Sequence, residues 1–364
     1  MGDARFATPV YGRRETGVVD CAARAALLTA LAKHRLCADH KGGTMLTAFV
    51  FPGQGSQAPG MGKALAENYA AARQVFAEVD AALGQNLSAL MFEGPEAELT
   101  LTANAQPALM AVSLAATRVL ETEAGLDIGR DAPFVAGHSL GEYSALAAAG
   151  ALTIADAARL LRIRGEAMQR AVPVGVGAMA AIIGLDFEQA SAVALQAASD
   201  LYLQGAICQA ANDNGGGQVV ISGTKPAVER AMELAKARGA KRALLLPVSA
   251  PFHCALMQPA ADAMALALAG VDIKPPKAPL VANVSATALQ DPTEIRASLV
   301  AQVTGAVRWR ESVLYMAHHG VANFVEIGAG KVLSGLIKRI VDGVTTTSIG
   351  APSDVEAFKA AGAP

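Results

Sequence analysis

The sequence predicts an α/β protein in which a large subdomain is interrupted by a small βαββαβ subdomain, and three observations carry that reading. Short apolar runs alternate with stretches of helical periodicity along most of the chain. One such run, Phe134-Val135-Ala136, passes through Gly137-His138-Ser139-Leu140-Gly141 straight into an alanine-rich helical stretch ending near Ala149, with Gly150 placed as a helix C-cap. From residue 178 to residue 248 the signals fall in the order strand, helix, strand, strand, helix, strand, the split-βαβ or ferredoxin-like order.

Composition sets the outer bounds. With 364 residues, 52% hydrophobic and 17% charged, the chain can bury a large core. No apolar run reaches the roughly eighteen residues of a membrane span, so a soluble protein with no membrane partner is expected. A formal charge of -2 gives no basis for binding nucleic acid. Cys21, Cys37, Cys208 and Cys254 lack C-x-x-C spacing and suggest neither a zinc site nor a disulfide framework, which fits a reduced, cytoplasmic protein.

In chain order, residues 1–44 read as a poorly ordered extension. They carry seven Lys/Arg against four Asp/Glu and no secretory h-region, with one amphipathic helix expected over Ala22–Leu36 and Met45 read as the functional initiator. The large subdomain is expected over 45–172 and again over 248–348. It opens with a buried-type strand, Leu46–Phe51, and the loop Pro52-Gly53-Gln54-Gly55-Ser56-Gln57. The loop's glycines do not match G-x-G-x-x-G, so it is read as letting Gln54 and its backbone approach a ligand rather than as a phosphate cradle. Helical periodicity follows over 62–84 and 107–121, with Pro107 expected in a first turn, where its missing N–H costs nothing. After the 134–150 unit comes a helix over Ile154–Ala171, with Thr153 as N-cap. It carries Arg159, Arg162, Arg164 and Arg170, any of which taken alone reads as a solvated side chain.

The small subdomain is expected over 173–247. Its strands are predicted at 178–183, 207–211, 218–222 and 242–248, and its helices at 186–198 and 226–238. The chain then returns through Ser249-Ala250-Pro251-Phe252-His253 to a helix ending near Leu268. Strands at 280–283, 323–327 and 345–348 and helices at 293–303, 309–319 and 332–341 complete the large subdomain, and 349–364 is set apart as a C-terminal tail. Gly328-Ala329-Gly330-Lys331 lacks the Gly-Lys-Ser/Thr of a phosphate loop and reads as a strand-to-helix turn.

Strand, Gly-x-Ser-x-Gly, helix is the context of a nucleophile elbow, although the pentapeptide alone equally fits a plain tight turn. A serine hydroxyl needs a base. His34 and His40 lie in the extension, while His318 and His319 end a helix, where imidazoles commonly stabilise the C-terminus. His138 adjoins the serine and would point elsewhere. His253, on a loop stiffened by Pro247 and Pro251, is left as the favoured base.

Four motifs occur in order: Phe51-Pro52-Gly53-Gln54-Gly55-Ser56-Gln57, Gly137-His138-Ser139-Leu140-Gly141-Glu142-Tyr143, Arg164-Gly165 and Pro251-Phe252-His253. Together they resemble the malonyl-CoA:acyl carrier protein transacylases of bacterial fatty acid synthesis, over about residues 45–348. The resemblance implies a hydrolase-like α/β subdomain with the ferredoxin-like insertion, Ser139 as nucleophile and His253 as general base and then acid. It further implies an oxyanion hole from the backbone N–H groups of Gln54 and Leu140, Arg164 as a clamp for the malonyl carboxylate, and the backbone carbonyl of Gln302 orienting His253. Asp213 stays open as an acidic third member. Asn212 and Asn214 correspond to a loop lining the cleft in relatives, and Phe252 to a residue that restricts an α-methyl group. No metal or organic cofactor is implied. The implied partners are malonyl-CoA and phosphopantetheinylated acyl carrier protein, with a monomer expected and Lys331, Lys338 and Arg339 as a candidate basic patch for an acidic carrier. Three rivals are weighed: a serine esterase or thioesterase, which has no need of an arginine in its acyl pocket; a non-catalytic scaffold of the same fold, against which intact Ser139, His253, Arg164 and Gln54 argue together; and a polyketide-pathway acyltransferase.

Overall fold

Leu46–Phe51 is apolar at every position but Thr47 and becomes strand β1, buried from Thr47 onward. A run apolar on both faces belongs in the interior of a parallel sheet covered on both sides. In the computed structural model, which describes residues 45–362, β1 lies inside such a sheet. The strands follow as β2 (Val135–Gly137), β3 (Gly177–Ile183), β4 (Cys208–Asp213), β5 (Gln218–Thr224), β6 (Arg242–Leu245), β7 (Leu280–Val281), β8 (Ala288–Leu289), β9 (Val321–Ile327) and β10 (Thr345–Ile349). The large sheet has six strands in the order β10-β9-β1-β2-β7-β8. All its pairings are parallel except β7 with β8. Phe49 sits opposite Val135 on β2 and Val325 on β9, so three interior strands share one register.

Alternate residues of β1 supply two cores. Phe49 and Phe51 pack with helices Thr102–Ala124 and Ile154–Ala171 on one face. Ala48 and Val50 pack with Trp309, Val313, Leu336 and Ile337, from helices Trp309–His318 and Val332–Ile340, on the other. The second sheet is antiparallel, in the order β4-β5-β3-β6. Helices Phe187–Asp200 and Lys225–Ala237 cover one of its faces through Val193, Val228 and Ala231 against Ile182 and Ile221. The opposite face carries Met179 and Val220, which join the large subdomain's core. One side of the small sheet is therefore left to form the wall of a cleft.

Local signals anchor several elements. Thr153 caps its helix by accepting from the Asp156 N–H, and Asp186 caps the next in a full capping box with Gln189. Other expectations need correction. Helix Thr102–Ala124 begins before Pro107, which lies inside it. The added turn is buried at Thr102, Ala105 and Gln106, where Gly165 of the crossing helix passes so close that a Cβ there would sit 2.6 Å from the Thr102 carbonyl. Tertiary packing thus extends the helix past its local start signal. The 62–84 stretch is two helices, Lys63–Asn68 and Ala70–Leu83, separated by extended Tyr69. Short helices Leu87–Glu93 and Glu96–Thr100, and strand β8, were not expected. The segment set apart as a tail contains helix Pro352–Ala361, tied down by buried Val355 and Phe358. The expected extension over 1–44, with its helix and with His34 and His40, lies outside the described residues. Among those described, no helix is long and apolar enough to cross a membrane.

Candidate active site

Strand β2 ends at Gly137, and helix Gly141–Ala148 starts four residues later. Both flanking glycines are required by contact. A Cβ at Gly137 would fall 1.9 Å from the Gly141 carbonyl carbon, and one at Gly141 would fall 2.3 Å from the Phe51 oxygen. Between them Ser139 is left-handed, with φ 53°. A non-glycine residue held there stores on the order of 1–3 kcal/mol and persists only where its surroundings over-determine it. They do so here. The Ser139 N–H donates to Asn283 Oδ1 at 2.7 Å, and Asn283 Nδ2 donates to the Gly137 carbonyl at 2.7 Å. Gln302 Nε2 donates to the Ser139 carbonyl at 2.8 Å.

Ser139 Oγ lies 2.8 Å from His253 Nε2, and His253 Nδ1 lies 2.9 Å from the Gln302 carbonyl oxygen. A carbonyl only accepts, so Nδ1 carries the proton and Nε2 is free to accept from the Ser139 hydroxyl. His253 is itself left-handed, with φ 59°. Burial, reinforced by the nearby Arg164 charge, pushes its pKa down to about 3. The imidazole is thus neutral and competent as a base.

Arg164 is 1% exposed. The solvated-helix reading fails for it alone of the arginines on its helix, since Arg159 and Arg170 are largely exposed and Arg162 is half-buried. Its Nη1 donates to Gln106 Oε1 at 2.8 Å, and Nη2 donates to Gln302 Oε1 at 2.7 Å and to Ser139 Oγ at 3.1 Å. Nε has no partner. Burial lowers the guanidinium pKa, with Tyr143 and Glu142 opposing it. A buried guanidinium with an unused donor beside a hydroxyl has the charge and the geometry to accept a carboxylate.

These groups open into a cavity of about 620 Å³ between the two sheets. Gln54, Ser139, Leu140, Arg164 and His253 line it from the large subdomain, and Asn212, Asn214 and Val220 from the small one. Phe252 is buried beside His253 and forms part of the same wall. The backbone N–H groups of Gln54 and Leu140 donate to no protein acceptor among the described residues. Gly53 brings the first of these loops against the elbow, where a Cβ would lie 2.6 Å from the His138 oxygen. His138 is turned away from the base position and bonds Asn214 Oδ1 through Nε2 at 3.0 Å. Asp213 is not a third member: it pairs with Arg310 at 2.8 Å, and the acceptor at His253 Nδ1 is the Gln302 carbonyl. His319 bonds the Tyr315 carbonyl at the end of its helix.

The residue pattern of an acyl transferase domain matches positions 48–357. The malonyl CoA-acyl carrier protein transacylase of Escherichia coli K12 is 49% identical over 310 residues, covering 85% of this chain and 97% of that protein. That of Bacillus subtilis 168 is 49% identical, covering 85% and 95%. The chain belongs to the malonyl-CoA:acyl carrier protein transacylase family. The crystal structure of the acyl-carrier-protein S-malonyltransferase of Bartonella henselae superposes with a TM-score of 0.84 at 56% identity, covering 87% of this chain and 99% of that one. A malonyl-transacylase solved with its holo type II PKS acyl-carrier protein superposes at 0.82 with 45% identity, covering 87% and 99%. As a transacylase-family member this chain is an acyltransferase, and the structure brings together every site residue expected from its motifs. It also adds some that sequence reasoning missed: Gln106, Glu142, Asn283 and the side chain of Gln302. Glu142 had a signal, its place in the serine motif. Gln106, Asn283 and Gln302 had none, because each is a lone amide in an unremarkable stretch.

Proposed function

We propose that this chain transfers the malonyl group of malonyl-CoA to the phosphopantetheine thiol of acyl carrier protein through a malonyl-Ser139 ester, and so supplies fatty acid synthesis. The observation that carries this reading is the buried Arg164 guanidinium, in hydrogen-bond contact with Ser139 Oγ. It gives the cavity a fixed cation where the free carboxylate of a malonyl group would lie, a feature a simple esterase does not need.

In the first half-reaction His253 Nε2 takes the Ser139 proton as Oγ attacks the thioester carbonyl. The malonyl carboxylate displaces Ser139 Oγ from Arg164. Negative charge on the thioester oxygen is received by the Gln54 and Leu140 N–H groups, each worth about 3 kcal/mol in such a role. His253 then returns the proton to the coenzyme A sulfur as it leaves. The carrier's thiol enters the emptied site, gives its proton to His253 and attacks the ester, and Ser139 regains the proton, which is ping-pong order. The imidazolium is oriented by a neutral carbonyl throughout.

The relatives' names support malonyl-CoA and acyl carrier protein as substrates. The relative solved with a type II PKS carrier supports a polyketide carrier as the second reading. Lys331 and Lys338 line a surface groove that shares Ser56 with the active-site cavity, where Arg339 also sits, and this is the placement we propose for an acidic carrier. We further place the protein in the cytoplasm as a monomer, with two subdomains that divide near residues 173 and 247.

Intact-protein mass spectrometry after mixing with malonyl-CoA tests the reading. Wild type should gain one malonyl group and pass it to holo carrier protein, and Ser139→Ala should gain none. Release of free malonate with no adduct would instead identify a hydrolase. Relative transfer rates to fatty acid and polyketide carriers separate the two pathways.

A further inference from the structure

Glu142 lies one helical turn beyond Ser139 and is fully buried. Both of its oxygens are engaged. Oε1 accepts the Asn283 backbone N–H at 2.5 Å, and Oε2 accepts from Gln302 Nε2 at 2.5 Å. Asn283 and Gln302 are the same two residues that hold Ser139 in its left-handed conformation.

The Gln302 carboxamide has three polar neighbours of two kinds. Its Nε2 faces two acceptors, Glu142 Oε2 and the Ser139 carbonyl, while its Oε1 faces a donor, Arg164 Nη2. One amide orientation satisfies all three, and the reverse satisfies none. The buried Glu142 carboxyl and the buried Arg164 guanidinium are thus joined through a single amide.

We infer that Glu142 is a positioning residue of the acyl-transfer site. It fixes the Gln302 carboxamide with its oxygen toward Arg164, and so sets the pose in which Arg164 meets an acyl carboxylate. The inference rests on the reading of Arg164 as that clamp. Glu142 touches no substrate; it acts through Gln302 and, at the elbow, through Asn283.

Glu142→Gln tests it with little change of shape. The Asn283 donor is backbone and cannot turn over, so the new amide keeps its oxygen there and presents NH₂ to Gln302. Gln302 then relieves the donor–donor contact by turning over, which sets its own NH₂ against Arg164. Ser139 acylation is measured by quenched-flow mass spectrometry with malonyl-CoA and with acetyl-CoA, which has no carboxylate. The turned-over amide also gives up the Ser139 carbonyl, which slows both acyl groups alike, so the expected result is malonyl loading slowed at least about tenfold more than acetyl loading, with a raised KM for malonyl-CoA. Equal slowing of both acyl groups, or of neither, overturns the inference. If the variant does not fold, Gln302→Leu breaks the same link while keeping the backbone carbonyl that serves His253. The same selective loss is expected there, and an unselective one overturns the inference. A wild-type enzyme that takes no malonyl group would sink the parent reading and this one with it. One that does, paired with unselective variants, sinks this one alone.

Discussion

Replacing Arg164 with alanine gives the sharpest test of the proposed clamp, because its magnitude follows from the geometry. In the free protein the guanidinium is held by Gln106 and Gln302 and reaches Ser139 Oγ at 3.1 Å. A malonyl carboxylate arriving there makes two charge-assisted hydrogen bonds in a buried site, each worth about 1.5–2 kcal/mol net. Losing both removes about 3–4 kcal/mol, or two to three orders of magnitude in malonyl loading. An acetyl group makes neither bond. For acetyl the main change is at His253, whose pKa Arg164 helps to depress, so the base strengthens when the arginine goes. Acetyl loading should therefore fall by less than about tenfold. The assay is acyl-enzyme formation by rapid quench and intact mass, with circular dichroism to confirm folding. Malonyl loading within about threefold of wild type, or equal losses for the two acyl groups, would refute the reasoning.

Three further outcomes follow from the same site. Gly141→Ala drives a Cβ to 2.3 Å from the Phe51 oxygen on β1, and should cost about 2–4 kcal/mol in denaturant unfolding and abolish the malonyl adduct. In acid, native His253 stays neutral down to about pH 3 while the unfolded chain's histidine takes a proton near pH 6.5, so stability falls as pH drops between them. By pH 4 the loss is on the order of 3 kcal/mol, and His253→Gln should flatten it in melting curves. Glu142 works in the other direction. Burial pushes its carboxyl up to about 8 from 4.5, against the pull of Asn283, Gln302 and Arg164. Its contribution is fully present below about pH 4.5 and is lost as pH rises from there through 8, so Glu142→Gln should remove that decline.

The elbow and the small subdomain were legible because their signals are local. Gly137 and Gly141 announce a contact that no side chain survives, and Thr153 and Asp186 mark helix starts through their own caps. Helix Thr102–Ala124 was misplaced at its start because what holds its first turn is a neighbouring helix 60 residues away in sequence, passing at Gly165. The supports of the site were hidden for a similar reason. Asn283 and Gln302 meet Ser139 across separations of 144 and 163 residues, and an amide in a loop or helix looks alike whether it faces water or a nucleophile. Arg164 was set apart from three other arginines on its helix only by family resemblance, since periodicity does not say which neighbours a helix face will receive. Asp213 offered the right charge, yet its partner is Arg310.

The acceptor that orients His253 is a peptide oxygen, and this has a genetic consequence. Every amino acid at position 302 brings a carbonyl with it, so no codon change there can delete the group that holds the imidazole. The side chain of the same residue, tied to Arg164, Glu142 and Ser139, does change with the codon. On the proposed reading of Arg164 as a carboxylate clamp and His253 as the base, one locus carries a heritable trait, the recognition of an acyl group, on top of a fixed one, the presentation of the imidazole. Drift or selection at position 302 can retune what the enzyme accepts while the imidazole keeps its anchor.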